Sequence, residues 1–273
     1  MSELEPNRGR DPAMADARWN YLCKVGGWAA LIAVFIFRRW LGSEFLLLRA
    51  IGVIRFGPKA PPSSVVDWFA LLHSNRLVGL TLLNFFDIFN YALVGLMFLG
   101  LYAALRRVNR SSMTLAMALG FLGIAVYFAS NQALALLSLS DQYAAAATDA
   151  QRSMFLAAGQ ALLAIHDQNA FHQTALGFLL VTLAGLLISI VMLRSSIFGK
   201  GTAYTGFLAN AFGLGYPLGV AFAPNPLVVP VAAISLSFSA CFLVFWYIGI
   251  ARRLLQLGAG KPVGRNRGII EAS

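Results

Sequence analysis

The chain has 273 residues, is 59% hydrophobic and only 12% charged, carries a formal net charge of +10 and has a mean hydropathy of +0.71. A soluble domain is typically about a quarter charged, so this composition excludes an ordinary soluble fold; it reads as an all-α polytopic integral membrane protein whose apolar runs approach or exceed the roughly 18 to 20 residues that cross a bilayer. The strand alternation of a membrane barrel is absent, and the basic residues sit at the ends of apolar runs instead of in one patch interleaved with aromatics, which speaks for topology and against a nucleic-acid surface.

Residues 1–18 mix Glu3, Glu5, Asp11 and Asp16 with Arg8, Arg10 and Arg18 and read as a flexible cytoplasmic tail. No small-residue cleavage site follows the first apolar segment, so that segment is expected to stay as a helix and not to leave as a signal peptide. The first span is predicted over 19–40, with Trp19, Trp28 and Trp40 as interfacial anchors and Lys24, Arg38 and Arg39 able to snorkel. Residues 41–84 read as an outer loop. Within it Phe45–Phe56 is too short and, with Arg49 and Arg55, too polar to span, which predicts an interfacial helix, then an extended segment through Pro58, Pro61 and Pro62.

Spans two and three are predicted at 85–105 and 113–139, antiparallel neighbours joined by a tight turn carrying Arg106, Arg107 and Arg110. Residues 140–170 read as a second outer loop with its own helix, because Met154–Ile165 is too short to cross. Three more spans follow at 171–193, 204–223 and 227–250, the last two turned by Pro224-Asn225-Pro226. Gly215-Tyr-Pro-Leu-Gly219 has the spacing that lets helices approach closely, and Pro217 within it predicts a kink. A moving gate is the alternative reading of that kink, although no inverted repeat accompanies it. Residues 258–273 form a basic tail. Six spans complete the 19–257 membrane domain and place both termini on one side. Lys and Arg concentrate on that side, the loop before residue 85 excepted, which makes it the cytoplasmic one. Cys23 and Cys241 fall inside apolar segments and read as small buried thiols.

Two stretches carry a family likeness. Met192-Leu-Arg-Ser-Ser-Ile-Phe-Gly-Lys-Gly-Thr-Ala-Tyr-Thr-Gly-Phe-Leu-Ala-Asn-Ala-Phe-Gly-Leu-Gly-Tyr216 and Phe245-Trp-Tyr-Ile-Gly-Ile-Ala-Arg-Arg-Leu-Leu-Gln-Leu-Gly258 resemble the bacterial multi-pass membrane family called domain of unknown function 4386. The spacing of spans between Arg76 and Leu257 is similar as well. The resemblance implies about six spans in a bacterial plasma membrane; the family has no assigned reaction, cofactor or catalytic residue.

Chemistry is sought among the polar residues set inside apolar runs. Asn84, Asp87 and Asn90 recur every three residues, which on one helix gives a slanting stripe with Tyr91 beside Asp87. In the six-span topology these lie toward the outer leaflet, as do Asn131 and Gln132 late in span three and His172 at the mouth of span four, with His166 and Asp167 just before it. A carboxylate facing lipid near the bilayer centre costs about 2.5 to 3.5 kcal/mol, so the stripe is expected to face protein or water. The plainer reading is that such groups hold helices together, for about 0.6 to 2 kcal/mol each. A functional reading makes them an outward-facing site for a small ligand, a lipid head group or a proton. A third has Asp87 simply wet at the surface.

The chain therefore reads as non-enzymatic, with a small-solute or proton-coupled transporter as the alternative. An intramembrane metal-dependent hydrolase using His73, His166 and His172 with Asp87 or Asp167 ranks lower. Its His166 and His172 are six residues apart, His73 is expected in a loop, and no His-x-x-x-His exists. Phosphate-loop, serine-elbow and Cys-x-x-Cys patterns are also missing. The implied partner is the lipid bilayer. No nucleic acid, cofactor or metal is implied.

Overall fold

A computed structural model describes residues 12–43, 62–165, 173–221 and 228–260, and among these every regular element is an α-helix. In chain order they are α1 (Pro12–Ser43), α2 (Val65–Ser74), α3 (Arg76–Leu82), α4 (Asp87–Leu105), α5 (Arg110–Ser130), α6 (Ala133–Ala145), α7 (Asp149–Ile165), α8 (Gln173–Leu193), α9 (Lys200–Gly213), α10 (Gly215–Ala221) and α11 (Val228–Gly258). Apolar sequence alone does not choose helix over strand. In lipid, however, each backbone donor and acceptor must be satisfied within its own segment, which a helix does. Polar residues mark the starts outside the apolar runs: Ser64, Asn75 and Asn109 each accept a backbone N–H with the side chain, from Asp67, Val78 and Ser112.

Among the described residues, five stretches are long and apolar enough to cross a membrane: Trp19–Ile36, Asp87–Leu105, Arg110–Ala145, Ala175–Leu193 and Ile234–Gly258. The predicted fifth span, 204–223, is not one of them, because it is two helices. Pro217 has no N–H, and its pyrrolidine collides with the carbonyl four residues back. That carbonyl belongs to Gly213, where α9 stops; the chain restarts at Gly215. The predicted third span is also interrupted. Asn131 adopts an extended backbone and its Oδ1 accepts the Ala133 N–H at 3.2 Å, so α5 ends at Ser130 and α6 continues beyond it.

The long helices pack as a closed circuit in which α5 meets α8, α8 meets α9, α9 meets α11, α11 meets α1, α1 meets α4 and α4 returns to α5. Consecutive members run antiparallel. The α1–α4 crossing brings Gly26 against Gly100, and the α5–α8 crossing brings Gly123 against Gly177, each close enough that a Cβ would strike opposing backbone. Inside the circuit lies one apolar core, with Met97, Phe98 and Leu101 from α4, Ile188 and Met192 from α8, and Trp246 and Ile250 from α11.

The two ends of the bundle differ in charge. Lys24, Arg106, Arg107, Arg110, Arg194, Lys200, Arg252 and Arg253 gather where α1, α5 and α9 begin and α4, α8 and α11 end. Among the described side chains, the acidic residues Asp67, Asp87, Asp141 and Asp149 all stand at the other end. There α2, α3, α6 and α7 form a cap with its own apolar centre of Trp68, Phe69, Leu72, Leu83 and Leu136. Ser140 on α6 donates to the Phe69 carbonyl at 3.1 Å, and Arg76 pairs with Asp141 at 2.8 Å.

This cap alters the expected loops. Residues 65–82 are helical, not extended, and His73 lies in the last turn of α2, not in a loop. The loop at 140–170 does contain a helix, but it begins at Asp149, and α6 already occupies residues up to Ala145. Cys23 is buried as expected, whereas Cys241 is exposed. The interfacial helix at 45–56, the Pro224-Asn225-Pro226 turn and the extreme termini lie outside the described residues. The Arg76–Asp141 pair is more than two-fifths exposed on both sides, so solvent screens it. Arg76→Ala is expected to lower stability by under about 1 kcal/mol in a denaturation series, a loss that 0.5 M salt should largely reproduce in the unmodified protein.

Candidate functional site

The polar residues singled out above lie at the acidic end, where the bundle meets the cap. α4 covers about 28 Å and α5 about 31 Å at 1.5 Å per residue, so Asp87 and Asn131 both stand roughly one hydrocarbon thickness from the basic end. Both helices change course here. Asn84 takes a left-handed backbone with φ 57°, a conformation asparagine tolerates better than most residues, and so turns the chain from α3 into α4. The expected stripe is thereby shortened: Asn84 sits in the turn with its side chain exposed, and only Asp87 and Asn90 ride on α4.

The turn and the end of α5 are tied together. Asn131 Nδ2 donates to the Asn84 carbonyl at 3.1 Å while its Oδ1 holds Ala133, so one amide bridges two chain breaks. One helical turn earlier on α5, the Tyr127 hydroxyl donates to Asp87 Oδ2 at 3.1 Å. Asp87 is half-buried, and among the described residues Tyr127 is the one hydrogen-bond partner of its carboxylate. Tyr91 stacks on Tyr127 with ring centroids 4.0 Å apart. Asp87, Tyr216 and Tyr247 lie within electrostatic range of Tyr91, and Tyr216 meets the edge of Phe178 at 5.5 Å. Asp87, Tyr91 and Tyr127 thus meet where α4 and α5 come together, with Tyr216 on α10 and Tyr247 on α11.

Two of the predicted residues are present but unpartnered. Asn90 Oδ1 and Gln132 Oε1 are enclosed and have no hydrogen-bond partner among the described residues. Gln132 borders a cavity of water size with Leu83, Ala133, Leu136, Leu162 and Leu163, at the junction of bundle and cap. Next to the site, Phe85, Phe86 and Phe89 form an aromatic triad with centroid separations of 5.6, 6.0 and 6.4 Å; Phe86 and Phe89 are exposed. His166, Asp167 and His172 fall outside the described residues. Among those described, no three of His, Cys, Asp and Glu come together as metal ligands would, and His73 is exposed on the cap.

Tyr127, Tyr216 and Tyr247 are site residues that the sequence reading missed. A signal existed for the first: Tyr127 precedes Asn131 by four residues and so shares its helix face. Tyr216 and Tyr247 lie inside the two stretches that carry the family likeness, and those stretches pack on each other. Arg253 Nε donates to the Ile197 carbonyl at 2.5 Å, and Gly206 abuts Trp246. Chemically the cluster offers a carboxylate steadied by a phenol donor, aromatic faces and enclosed amide oxygens. Such a set accepts hydrogen bonds or positive charge.

No family model, no curated protein and no solved structure matches this chain.

Proposed function

We propose that this chain is a non-enzymatic six-span protein of the bacterial plasma membrane, with both termini cytoplasmic, that binds a small polar ligand or lipid head group at its outer end through Asp87 and the surrounding tyrosines. The observation that carries this reading is the state of Asp87. A carboxylate at the mouth of an apolar bundle has a single phenol partner and no cation among the described residues. Neither oxygen of that carboxylate is among the enclosed unpartnered atoms, so its remaining acceptor capacity is open to a group that arrives from the outer end. Six crossings are supported by the helix circuit, in which α9 and α10 together fill one place. The cytoplasmic assignment is supported by the gathering of Lys and Arg at one end.

The test is a thermal-shift and equilibrium-binding screen of the purified protein against amino acids, polyamines, sugars and soluble head-group analogues. At least one compound should give a saturable shift, and Asp87→Asn and Tyr127→Phe should each weaken it tenfold or more. Absence of any saturable binder, or equal binding by Asp87→Asn, would remove the reading. Transport is the second reading, favoured by one feature: the α9–α10 break sits next to Tyr216, and interrupted helices frame substrate sites in many transporters. Uptake of a ligand found in the screen into proteoliposomes, above that of protein-free vesicles, separates a transporter from a binding protein.

A further inference from the structure

At the basic end, one cation rests on an aromatic ring. Arg106 closes α4 and is half-buried, and its guanidinium carbon lies 3.5 Å from the centroid of the Trp19 ring on α1. Its Nε is enclosed and has no acceptor among the described residues. Two other basic side chains here are engaged with backbone: Lys200 donates to the Leu193 carbonyl, and Arg253 to the Ile197 carbonyl, with a further bond from Arg253 to the Gln256 side chain. Among the described side chains at this end none is acidic. A guanidinium stacked on an indole is held by the aromatic face, yet its N–H donors all lie in its own plane and still need acceptors at the edge.

The depth of this pair matters. Leu105 ends a helix of about 28 Å, so Arg106 and Trp19 sit at the hydrocarbon boundary, where tryptophan is favoured and lipid phosphates begin. A planar donor fork there matches the oxygens of a phosphate in bidentate fashion, which a lysine ammonium does not. Arg110 is exposed in the same turn and adds positive charge beside the site.

We propose that Arg106 on Trp19 forms a site for the phosphate of an anionic phospholipid, which would accept from the guanidinium edge that remains accessible in this half-buried side chain. The site is at the opposite end of the bundle from Asp87 and does not depend on the ligand reading given there. The test is native mass spectrometry of the delipidated full-length protein in a neutral detergent, with phosphatidylglycerol and phosphatidylcholine of matched chains added in turn. The unmodified protein should retain phosphatidylglycerol at least fivefold better than phosphatidylcholine. Arg106→Gln should bring the ratio close to one, and Arg106→Lys, which keeps the charge and fold but loses the fork, should fall between. Trp19→Leu should also lower it. Lys200→Gln and Arg252→Gln should leave it nearly unchanged. Equal losses in the three charge-removing variants, Arg106→Gln, Lys200→Gln and Arg252→Gln, would mean a diffuse field and overturn the site. Saturable binding of inorganic phosphate at millimolar concentration, with no lipid preference, would make it a free-anion site and overturn the lipid assignment.

Discussion

Gly123→Leu is expected to destabilise the purified protein by about 3 kcal/mol or to prevent its accumulation, because overpacking that cannot be relieved by a rotamer change falls at the severe end of its range. A Cβ at residue 123 would lie 2.7 Å from the Gly177 carbonyl oxygen and 2.9 Å from Leu180 Cβ and Val181 Cγ2. The reverse contact is as tight, since a Cβ at Gly177 would stand 2.9 Å from the Gly123 oxygen. Both obstacles are backbone, so α5 and α8 must separate. Even Gly123→Ala should be measurable, whereas Gly199→Ala, with nothing within 4 Å of the added carbon, should be close to neutral. Thermal unfolding of the three variants in one detergent provides the comparison; equal midpoints for Gly123→Ala and Gly199→Ala would rule out the close crossing. Function should follow the same axis, because Tyr127 lies one turn beyond Gly123 and itself packs against Gly177. A shift of α5 away from α8 would disturb the Tyr127–Asp87 bond before it reached the cap.

The long apolar runs made α1, α4, α8 and α11 legible, because their hydropathy is continuous and a bilayer leaves such runs little choice but helix. The breaks were harder. Residues on both sides of Asn131 remain apolar, and the interruption comes from that asparagine's own side chain capturing the Ala133 N–H, a local hydrogen bond to which hydropathy is blind. Asn84 was misplaced for a related reason: spacing of three residues implies a stripe only if the helix is unbroken, and the left-handed turn at Asn84 breaks it. Pro217, by contrast, announced its kink, although a complete stop at Gly213 goes further than a bend. The cap stayed hidden because its helices are short and stabilised by one another, through contacts such as Ser140 with Phe69 that no single segment encodes. In the candidate site, Asp87 and the asparagines stood out as polar atoms in apolar sequence. Tyrosine does not stand out there, since most of its surface is aromatic carbon, and its part in the cluster depends on where α10 and α11 place it.

The packing of those two helices yields the last expected result. Trp246 is 1% exposed, and its Nε1 is enclosed with no acceptor among the described residues. The indole edge that carries this nitrogen points at Gly206, where an added Cβ would come within 2.3 Å of it. Gly206→Ala alone should therefore cost about 2 to 3 kcal/mol. Trp246→Phe alone should cost less than a typical large-to-small change of about 3 kcal/mol, because the cavity it opens is partly offset by removal of an unpaired donor whose burial costs about 1 to 3 kcal/mol. In the double variant the alanine methyl occupies the space vacated by the five-membered ring. The two costs should then fall short of additive by about 1 kcal/mol or more, the size expected for residues in direct contact. Rescue should be incomplete, since the same methyl also meets Ser189 Oγ at 2.6 Å, and that hydroxyl is fixed by its bond to the Gly185 carbonyl. Strict additivity in a denaturation cycle would mean that α9 and α11 do not meet at this point. Because Tyr216 follows α9 and Tyr247 neighbours Trp246, the same cycle read by the ligand binding proposed for Asp87 should show the rescue too. A double variant that regains stability without binding would place the cluster's alignment outside the α9–α11 contact.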